Sequence, residues 1–151
     1  SYGGFMAALA MLEGKARAKS ATVHLETADG LPRLLGFGSE LNQVWEKLVD
    51  NAIDAVGQRG QVTITATTRG DAILVRVADD GTGIPEEIRS RVFEPFFTTK
   101  PIGQGTGLGL DLARRIVHNH GGEIEFTTQP GRTVFRVSLP VSGVRSPVTR
   151  L

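Results

Sequence analysis

The sequence predicts one α/β domain in which strands and helices follow each other along the chain. Apolar residues recur at helical spacing over about four turns between Ser39 and Val56, which indicates a long amphipathic helix. Apolar and polar residues alternate from Ile73 to Asp79, which indicates a half-buried strand. Of the 151 residues, 40% are hydrophobic and 22% are charged, which is typical of a single globular domain.

Charge and cysteine content exclude several classes of protein. The formal net charge is +1 with acidic and basic residues interspersed, so nothing marks a nucleic-acid binder. There is no cysteine, hence neither a disulfide framework nor a thiolate metal site, which is compatible with a reducing cytoplasm. No apolar run approaches the length of a membrane span. We therefore expect a cytoplasmic domain without nucleic-acid or membrane contacts.

The domain is expected to span residues 1–140. The remaining residues, 141–151, show no periodic core pattern and are predicted to form a frayed tail. Because the chain opens at Ser1 without an initiator methionine, we expect it to be a fragment of a longer protein.

The first two predicted elements are a helix from Tyr2 to Lys19 and a strand from Ala21 to Thr27. In the helix, Phe5, Leu9 and Leu12 recur at helical spacing, and their stripe is expected to pack on the core. The strand alternates apolar and polar residues.

The long helix is predicted to begin at Ser39, whose hydroxyl would act as its N-cap. Its polar side carries Lys47, Asn51 and Asp54, which are spaced so that they should stack along one line. A solvated face is the simplest interpretation of this line. The apolar side comprises Leu41, Val44, Trp45, Leu48, Val49, Ala52, Ile53 and Val56.

A hairpin turning at Arg69-Gly70-Asp71 is predicted to join a strand around Val62 to Ala66 to the strand that ends at Asp79. Asp79 shares a face with the apolar residues of its strand, so its carboxylate should point into the core. An ionised carboxylate there is costly unless donors meet it, and Gly81 and Gly83 let the backbone come close to whatever supplies them. A flat ligand with an amino group would fit this corner.

A capping aspartate in a strand-to-helix turn is the alternative interpretation of Asp79. The following Pro85-Glu86-Glu87 resembles a first helical turn with acidic residues at its positive end, and a short helix is predicted to run to about Arg91. Three aromatics then fall within Phe93-Glu94-Pro95-Phe96-Phe97. They are predicted to be a hydrophobic anchor rather than a base-stacking surface.

A loop rich in glycine and polar residues follows. From Thr98 to Thr106 the one apolar residue is Ile102, which predicts a mobile loop. Four alternating glycines between Gly103 and Leu110 then open a helix, and backbone N–H groups at a helix N-terminus favour phosphate. A nucleoside triphosphate is the expected ligand. The segment fits neither a dinucleotide fingerprint, because position 108 is Leu, nor a P-loop, because no Gly-Lys-Ser/Thr follows.

The last predicted helix stops at Gly121-Gly122. Two further strands, Ile124 to Phe126 and Phe135 to Leu139, are joined by the turn Gln129-Pro130-Gly131. They complete the predicted sheet.

Four motifs come in a characteristic order: the helix with Asn51, the Asp79-x-Gly81-x-Gly83 corner, the Phe93-Glu94-Pro95-Phe96-Phe97 segment and the glycine-rich loop. Together they resemble the N, G1, F and G2 boxes of the ATP-binding domain of sensor histidine kinases, within the wider group that includes gyrase, Hsp90 and MutL. The resemblance covers roughly Ser20 to Pro140. It is strongest to the nitrogen-regulator-like kinases, whose long helix reads Leu-Asn-Gln-Val and then Asn-Ala-Ile-Asp-Ala, as here.

The resemblance implies a Bergerat-type, two-layer α/β sandwich. Its sheet would be mixed but mostly antiparallel and backed by about three helices, with ATP between the helices and a lid formed by residues 98–106. By resemblance, Asp79 accepts the adenine amino group, Thr133 assists through a water, and Ile84 packs against the ring. Asn51 is expected to hold Mg²⁺ by its side-chain oxygen.

The phosphates would be bound by the lid and the loop that follows it. By resemblance, Lys100 reaches the terminal phosphate as a point charge. The cofactors are therefore expected to be ATP and Mg²⁺, with Lys47, Asn51 and Lys100 as the catalytic residues. The phosphate-binding backbone would comprise Gly103, Gly105, Thr106, Gly107 and Leu108, in addition to Gly81 and Gly83 at the adenine corner.

This sequence departs from the family pattern at Lys47, where the kinases usually place Asn and the gyrase-like ATPases place a general-base Glu. Glu46 lies about a hundred degrees around the helix and is a poor substitute. In addition, none of His24, His118 and His120 stands in the helical His-Glu or His-Asp setting that the family phosphorylates, and none is expected to bind metal.

The resemblance implies that the chain donates the γ-phosphate of ATP to a histidine on an upstream helical dimerisation domain of the same protein. The phosphate would then pass to an aspartate of a response regulator, and the full-length protein would be a homodimer. The alternative is a degenerate module that binds nucleotide and signals without phosphotransfer. A gyrase-like ATPase is a third interpretation, which the missing Glu disfavours.

Overall fold

Five strands form one open sheet against which the α-helices pack. The computed structural model describes residues 2–27, 38–98 and 109–140; the side chains of residues 2–9 and 27 are excepted. The elements are α1 (Tyr2–Ala18), β1 (Thr22–Thr27), α2 (Ser39–Ala55), β2 (Gln61–Arg69), β3 (Ala72–Asp79), a 3-10 helix (Glu86–Arg91), α3 (Gly109–Asn119), β4 (Glu123–Gln129) and β5 (Arg132–Pro140). None of the helices in these ranges has the length and apolar character needed to cross a membrane.

The sheet has the strand order β1-β2-β3-β5-β4. β1 and β2 pair in parallel, and the other three pairs are antiparallel. The predicted mixed, mostly antiparallel α/β fold is therefore confirmed, including the hairpin at Arg69 to Asp71. β3 occupies the centre, so the register places Asp79 opposite both Val62 and Thr133.

The core lies between the sheet and the helices. Every second residue of β3, namely Ile73, Val75, Val77 and Asp79, is buried. The three apolar members belong to the same cluster as the apolar side of α2. The predicted inward orientation of Asp79 is thus confirmed, because the strand keeps its alternation to its last residue.

One predicted helix start is wrong, and the predicted short helix after Pro85 is confirmed. Gly38, at φ 100°, is the N-cap of α2, no side chain of the described residues caps this end, and Ser39 is already helical. The reason is that Gly38 adopts a left-handed φ at low cost and its carbonyl accepts the N–H of Asn42 at 3.1 Å. The short helix that follows Pro85 is a 3-10 helix, Glu86–Arg91, without buried residues.

The predicted aromatic anchor is wrong for Phe96 and right for Phe93. The Phe93 ring lies 6.0 Å from that of Phe126 and 6.2 Å from that of Phe135. Phe96 is 74% exposed with φ 67°, because the chain reverses there and turns the ring away from the sheet. Phe97 is half-buried beneath the Arg91 guanidinium, 4.5 Å from the ring centre.

Lys19 ties the chain after α1 to the end of α2. Its ammonium donates to the carbonyls of Ile53 and Val56, each at 2.8 Å, and lies 3.4 Å from that of Asp54. The last carbonyls of a helix have no intrahelical partner, and a cation stabilises that negative end. Lys19 therefore acts as a side-chain cap from a different element.

Lys19→Met is expected to lower the free energy of unfolding by about 1–3 kcal/mol, because charge-assisted hydrogen bonds to backbone are lost. Arg17→Met is the matched control: Arg17 is exposed, and its side chain bonds no residue in the described ranges, so its loss should cost under about 0.5 kcal/mol. Urea denaturation measures both. Equal effects of the two variants would contradict the capping role.

Candidate functional site

The site is organised around Asp79, the last residue of β3, which is 4% exposed. Burial raises the pKa of its carboxyl group above the ordinary value, and the charge of Asp80 adds to this, whereas the N–H of Gly81 opposes it. That N–H donates to Oδ1 at 2.9 Å. No other described residue donates to Asp79, so Oδ2 has capacity for an external donor. The alternative interpretation of Asp79 as a capping residue accounts for only one of its two carboxylate oxygens.

Asp80 has a different role, although it is adjacent and also acidic. Its side chain is exposed, and Oδ1 accepts the N–H of Gln61 at 2.9 Å. Asp80 therefore fixes the end of β3 to the start of β2. This leaves Asp79 as the carboxylate that faces the interior.

The two glycines after Asp79 are required by packing. A Cβ on Gly81 would lie 2.5 Å from the carbonyl oxygen of Ala55 and 2.9 Å from Asp79 Oδ1. Gly83 has φ +90°, and a Cβ on it would lie 2.8 Å from the carbonyl oxygen of Gln129. The predicted close approach is therefore an approach to the end of α2 and to the β4–β5 turn.

A chain of polar contacts connects Ile84 to the partner strand of Asp79. The N–H of Ile84 donates to Thr128 Oγ1 at 2.9 Å. Thr128 Oγ1 lies 2.7 Å from Thr133 Oγ1, and Thr133 is 3% exposed and faces Asp79 in the register. Thr133 and Ile84 thus lie at the corner that their predicted roles require.

Thr128 was missed by sequence reasoning, although a signal existed. It follows Ile124 and Phe126 at a spacing of two, so β4 places a hydroxyl on its inner face close to its end. A hydroxyl on the inner face of a strand needs a hydrogen-bond partner.

Asn51 lies on a half-buried stripe of α2 that runs between two parts of the site. One turn before Asn51, the side chain of Lys47 lies beside the start of α3, since a Cβ on Gly109 would lie 3.6 Å from Lys47 Cδ. One turn after it, the carbonyl of Ala55 lies beside Gly81. Because residues four apart share a helix face, Asn51 lies between the start of α3 and the Asp79 corner.

Asp54 does not continue this stripe, contrary to the prediction. Its Oδ1 lies 2.5 Å from Lys15 Nζ of α1, which also lies 2.7 Å from Asp50 Oδ1. Despite the cost of burial, these pairs raise the pKa of Lys15. Residue 54 is displaced from the line through 47 and 51 toward α1, where a cation is available.

The three histidines have local partners. His24 Nε2 lies 2.6 Å from Gln61 Oε1, and His118 Nε2 lies 3.5 Å from Glu123 Oε2. His120 is buried, and its Nδ1 lies 2.8 Å from the carbonyl oxygen of Ile116, so this nitrogen carries the proton. No group of three metal-binding side chains occurs within the described ranges.

Part of the predicted site lies outside the described residues. This part comprises Lys100, Gly103, Gly105, Thr106, Gly107 and Leu108. The predicted lid therefore lies outside them except for Thr98, and so does the predicted tail, 141–151.

The sequence pattern of the family described as "Histidine kinase-, DNA gyrase B-, and HSP90-like ATPase" matches residues 37–143. The sensory histidine kinase/phosphatase NtrB of Azospirillum brasilense is 43% identical over 126 residues, 74% of this chain and 31% of that protein. The sensor histidine kinase ZraS of Escherichia coli is 36% identical over 138 residues, 91% of this chain and 29% of that protein. The chain thus spans less than a third of the length of these relatives.

Solved structures of histidine kinases share the fold. The nucleotide-free catalytic domain of histidine kinase ThkA has a TM-score of 0.73 and 34% identity, with 90% of this chain and 89% of that chain covered. Full-length ShkA in complex with AMPPNP has a TM-score of 0.74 and 26% identity, with 92% of this chain and 29% of that chain covered.

Proposed function

Because the chain belongs to the family of histidine kinase-, DNA gyrase B- and HSP90-like ATPases, we propose that it is the ATP- and Mg²⁺-binding catalytic domain of a two-component sensor histidine kinase. It donates the γ-phosphate of ATP to a histidine on an upstream helical dimerisation domain. The observation that carries this proposal is the buried Asp79 carboxylate, which has one oxygen bonded to Gly81 and the other without a donor among the described residues. ShkA, which binds AMPPNP, has the same fold.

The adenine end of the proposed site consists of three residues. Asp79 accepts the amino group of adenine through Oδ2, and Thr133 assists through a water. Ile84 packs against the ring, and its half-buried position next to the core supports this role. Together they match a flat base that presents an amino donor.

The phosphate end of the proposed site extends along α2 toward α3. The side-chain oxygen of Asn51 would hold Mg²⁺, which prefers oxygen ligands. When bound, the metal neutralises charge that develops during phosphoryl transfer. Lys47 and Lys100 supply further positive charge. Backbone N–H groups between Gly103 and Leu108 bind the phosphate chain, so that transfer requires mainly alignment.

The partners follow from the chemistry of a phosphorelay. The acceptor histidine lies on a dimerisation domain of the same protein, and an aspartate of a response regulator receives the phosphate next. We also propose that the full-length protein is a homodimer and that this domain is cytoplasmic. The names of NtrB and ZraS as sensory kinases support a multidomain protein of this kind.

A degenerate module that binds nucleotide without phosphotransfer is the second candidate function. Lys47 favours it, because this residue lies one turn from Asn51 and offers donors but no acceptor. A gyrase-like ATPase fits less well. Glu46 lines a cleft with Met11, Leu12, Lys47 and Asp50. It lies about a hundred degrees around α2 from Lys47, so it does not replace a general base at that position.

Incubation of the 151-residue chain with γ-labelled ATP is expected to leave the chain itself unlabelled and to label the supplied dimerisation domain of the full-length protein. The reason is that none of the three histidines stands in the helical His-Glu or His-Asp setting that the family phosphorylates. His24 and His118 contact Gln61 and Glu123, and His120 is buried with its Nδ1 on the carbonyl of Ile116. Mass spectrometry locates any label.

The chain that carries Asp79→Asn is the control, because it should label neither itself nor the dimerisation domain. Label on one of the three histidines would show that the acceptor lies within the chain. Absence of label on the dimerisation domain despite tight ATP binding would favour the degenerate module.

A further inference from the structure

Thr128 lies near the end of the edge strand β4 and is half-buried. Its hydroxyl contacts two residues of the proposed adenine corner. Its Oγ1 accepts the N–H of Ile84 at 2.9 Å and lies 2.7 Å from Thr133 Oγ1. Thr128 does not pair with Asp79 directly, because β5 lies between their strands: Thr128 pairs with Thr133, which pairs with Asp79. Its influence on a bound base must therefore pass through its neighbours.

The two hydroxyl groups can share one hydrogen in two ways. If Thr133 donates to Thr128, then Thr128 Oγ1 accepts two hydrogen bonds and its own hydrogen has no acceptor among the described residues. If Thr128 donates to Thr133, Thr128 both accepts and donates one bond, and the hydrogen of Thr133 is free. A hydroxyl has one hydrogen and two lone pairs, so each arrangement leaves one hydrogen unpaired. The second arrangement leaves the hydrogen of Thr133 for a ligand, and a ligand that offers an acceptor at the corner favours it.

This inference rests on the proposed function: we propose that Thr128 is a positioning residue that sets the specificity for the base. By holding the hydroxyl of Thr133 as a donor, it makes the corner select adenine over guanine. Asp79 then presents an acceptor, and Thr133 presents a donor through the bridging water of the proposed site. Adenine has an amino donor beside ring-nitrogen acceptors, whereas guanine has a carbonyl oxygen at the corresponding position, where it would face the carboxylate.

Reversing the hydrogen-bond direction of the Thr133 hydroxyl is costly, because Thr133 is 3% exposed. Bulk water cannot readily replace a missing hydrogen bond at such a position. Thr128→Val keeps the side-chain shape and removes both the acceptor for Ile84 and the donor to Thr133. Thr133 can then rotate and offer a lone pair to the bridging water, which in turn can accept a ring N–H of guanine.

Nucleotide affinity of the 151-residue chain, measured by calorimetry with ATP and GTP, tests the proposal. Thr128→Val is expected to reduce the preference for ATP over GTP by about tenfold, the equivalent of one well-placed hydrogen bond. Thr128→Ser keeps the hydroxyl and should retain the wild-type preference. Thr127→Val is the matched control, because Thr127 is the neighbouring exposed residue and its hydroxyl accepts from Arg136 instead.

A purely structural role for Thr128 predicts a different result. Both affinities would then fall together in Thr128→Val, the ATP preference would be unchanged, and the proposal would be overturned. If the valine variant does not fold, Thr128→Cys replaces it, since a thiol is a weak donor and acceptor of similar size, and the same loss of preference is expected. Failure of the wild-type chain to bind either nucleotide would instead overturn the proposed function.

Discussion

Asp79→Asn is expected to abolish ATP binding. One carboxylate oxygen is already bonded to the N–H of Gly81, which leaves the other oxygen for the adenine amino group in the proposed site. An asparagine has a single oxygen, and its NH₂ group would face either the N–H of Gly81 or the amino group of the base. Two donors would oppose each other in both cases. Calorimetry with ATP and Mg²⁺ measures the loss.

Asp80→Asn is the control for this substitution. Asp80 is exposed, and an amide oxygen can still accept the N–H of Gln61, so ATP affinity should be unchanged. Wild-type binding of ATP by the Asp79→Asn variant, or equal affinity of the wild-type chain for ATP and GTP, would falsify adenine recognition by Asp79.

Asp79→Asn should also raise the free energy of unfolding of the chain without nucleotide. Burial raises the pKa of Asp79 above its ordinary value of 3.8, so the ionised carboxylate destabilises the folded state at neutral pH. As the pH falls through the raised pKa of the folded state, the folded protein binds a proton before the unfolded chain does. The advantage of the asparagine variant should therefore be full at pH 7 and disappear below the ordinary pKa.

Lys47→Asn in the full-length protein is expected to raise Mg²⁺-dependent autophosphorylation by about tenfold, equivalent to roughly 1.4 kcal/mol of transition-state stabilisation. The side chain is half-buried, and its stem lies beside the start of α3, one turn from Asn51. An ammonium cannot ligate Mg²⁺ or orient a metal-bound water, whereas an amide oxygen can do both. Initial rates of label incorporation measure the effect.

Nucleotide affinity should change little or fall in this variant, because the charge that pairs with phosphate oxygens is lost. Lys47→Gln removes the same charge but extends the amide by one methylene, so it separates loss of charge from gain of a correctly placed oxygen. A decrease in autophosphorylation in Lys47→Asn would identify Lys47 as a catalytic phosphate ligand. The degenerate alternative would then lose its support.

Residues whose positions follow from a repeating pattern were predicted from the sequence. The alternation of β3 predicted the burial of Asp79, and the helical period of α2 predicted its apolar side. Positions that depend on a partner from another element were not predicted. Asp54 turns toward Lys15 of α1, and Thr128 is fixed by the N–H of Ile84. No local pattern contains either contact.

Backbone conformation limited prediction at two further positions. Gly38 replaces Ser39 as the N-cap because a glycine accepts φ 100°, which outweighs the preference of serine for that position. Phe96 is exposed because the chain reverses at φ 67°, and an aromatic residue in a hydrophobic segment carries no signal for such a reversal.

The central position of β3 determines how the site responds to partial unfolding. β3 is hydrogen-bonded to β2 on one side and to β5 on the other, whereas β1 and β4 are the edges of the sheet. Edges open more easily than interior strands, so amide hydrogens around Asp79 should exchange among the slowest in the chain. Fraying of β4 removes Thr128 from Ile84 and Thr133 but leaves Asp79 paired with its neighbours. In the proposed site, local opening at this edge would therefore relax base discrimination before it displaces the Asp79 carboxylate.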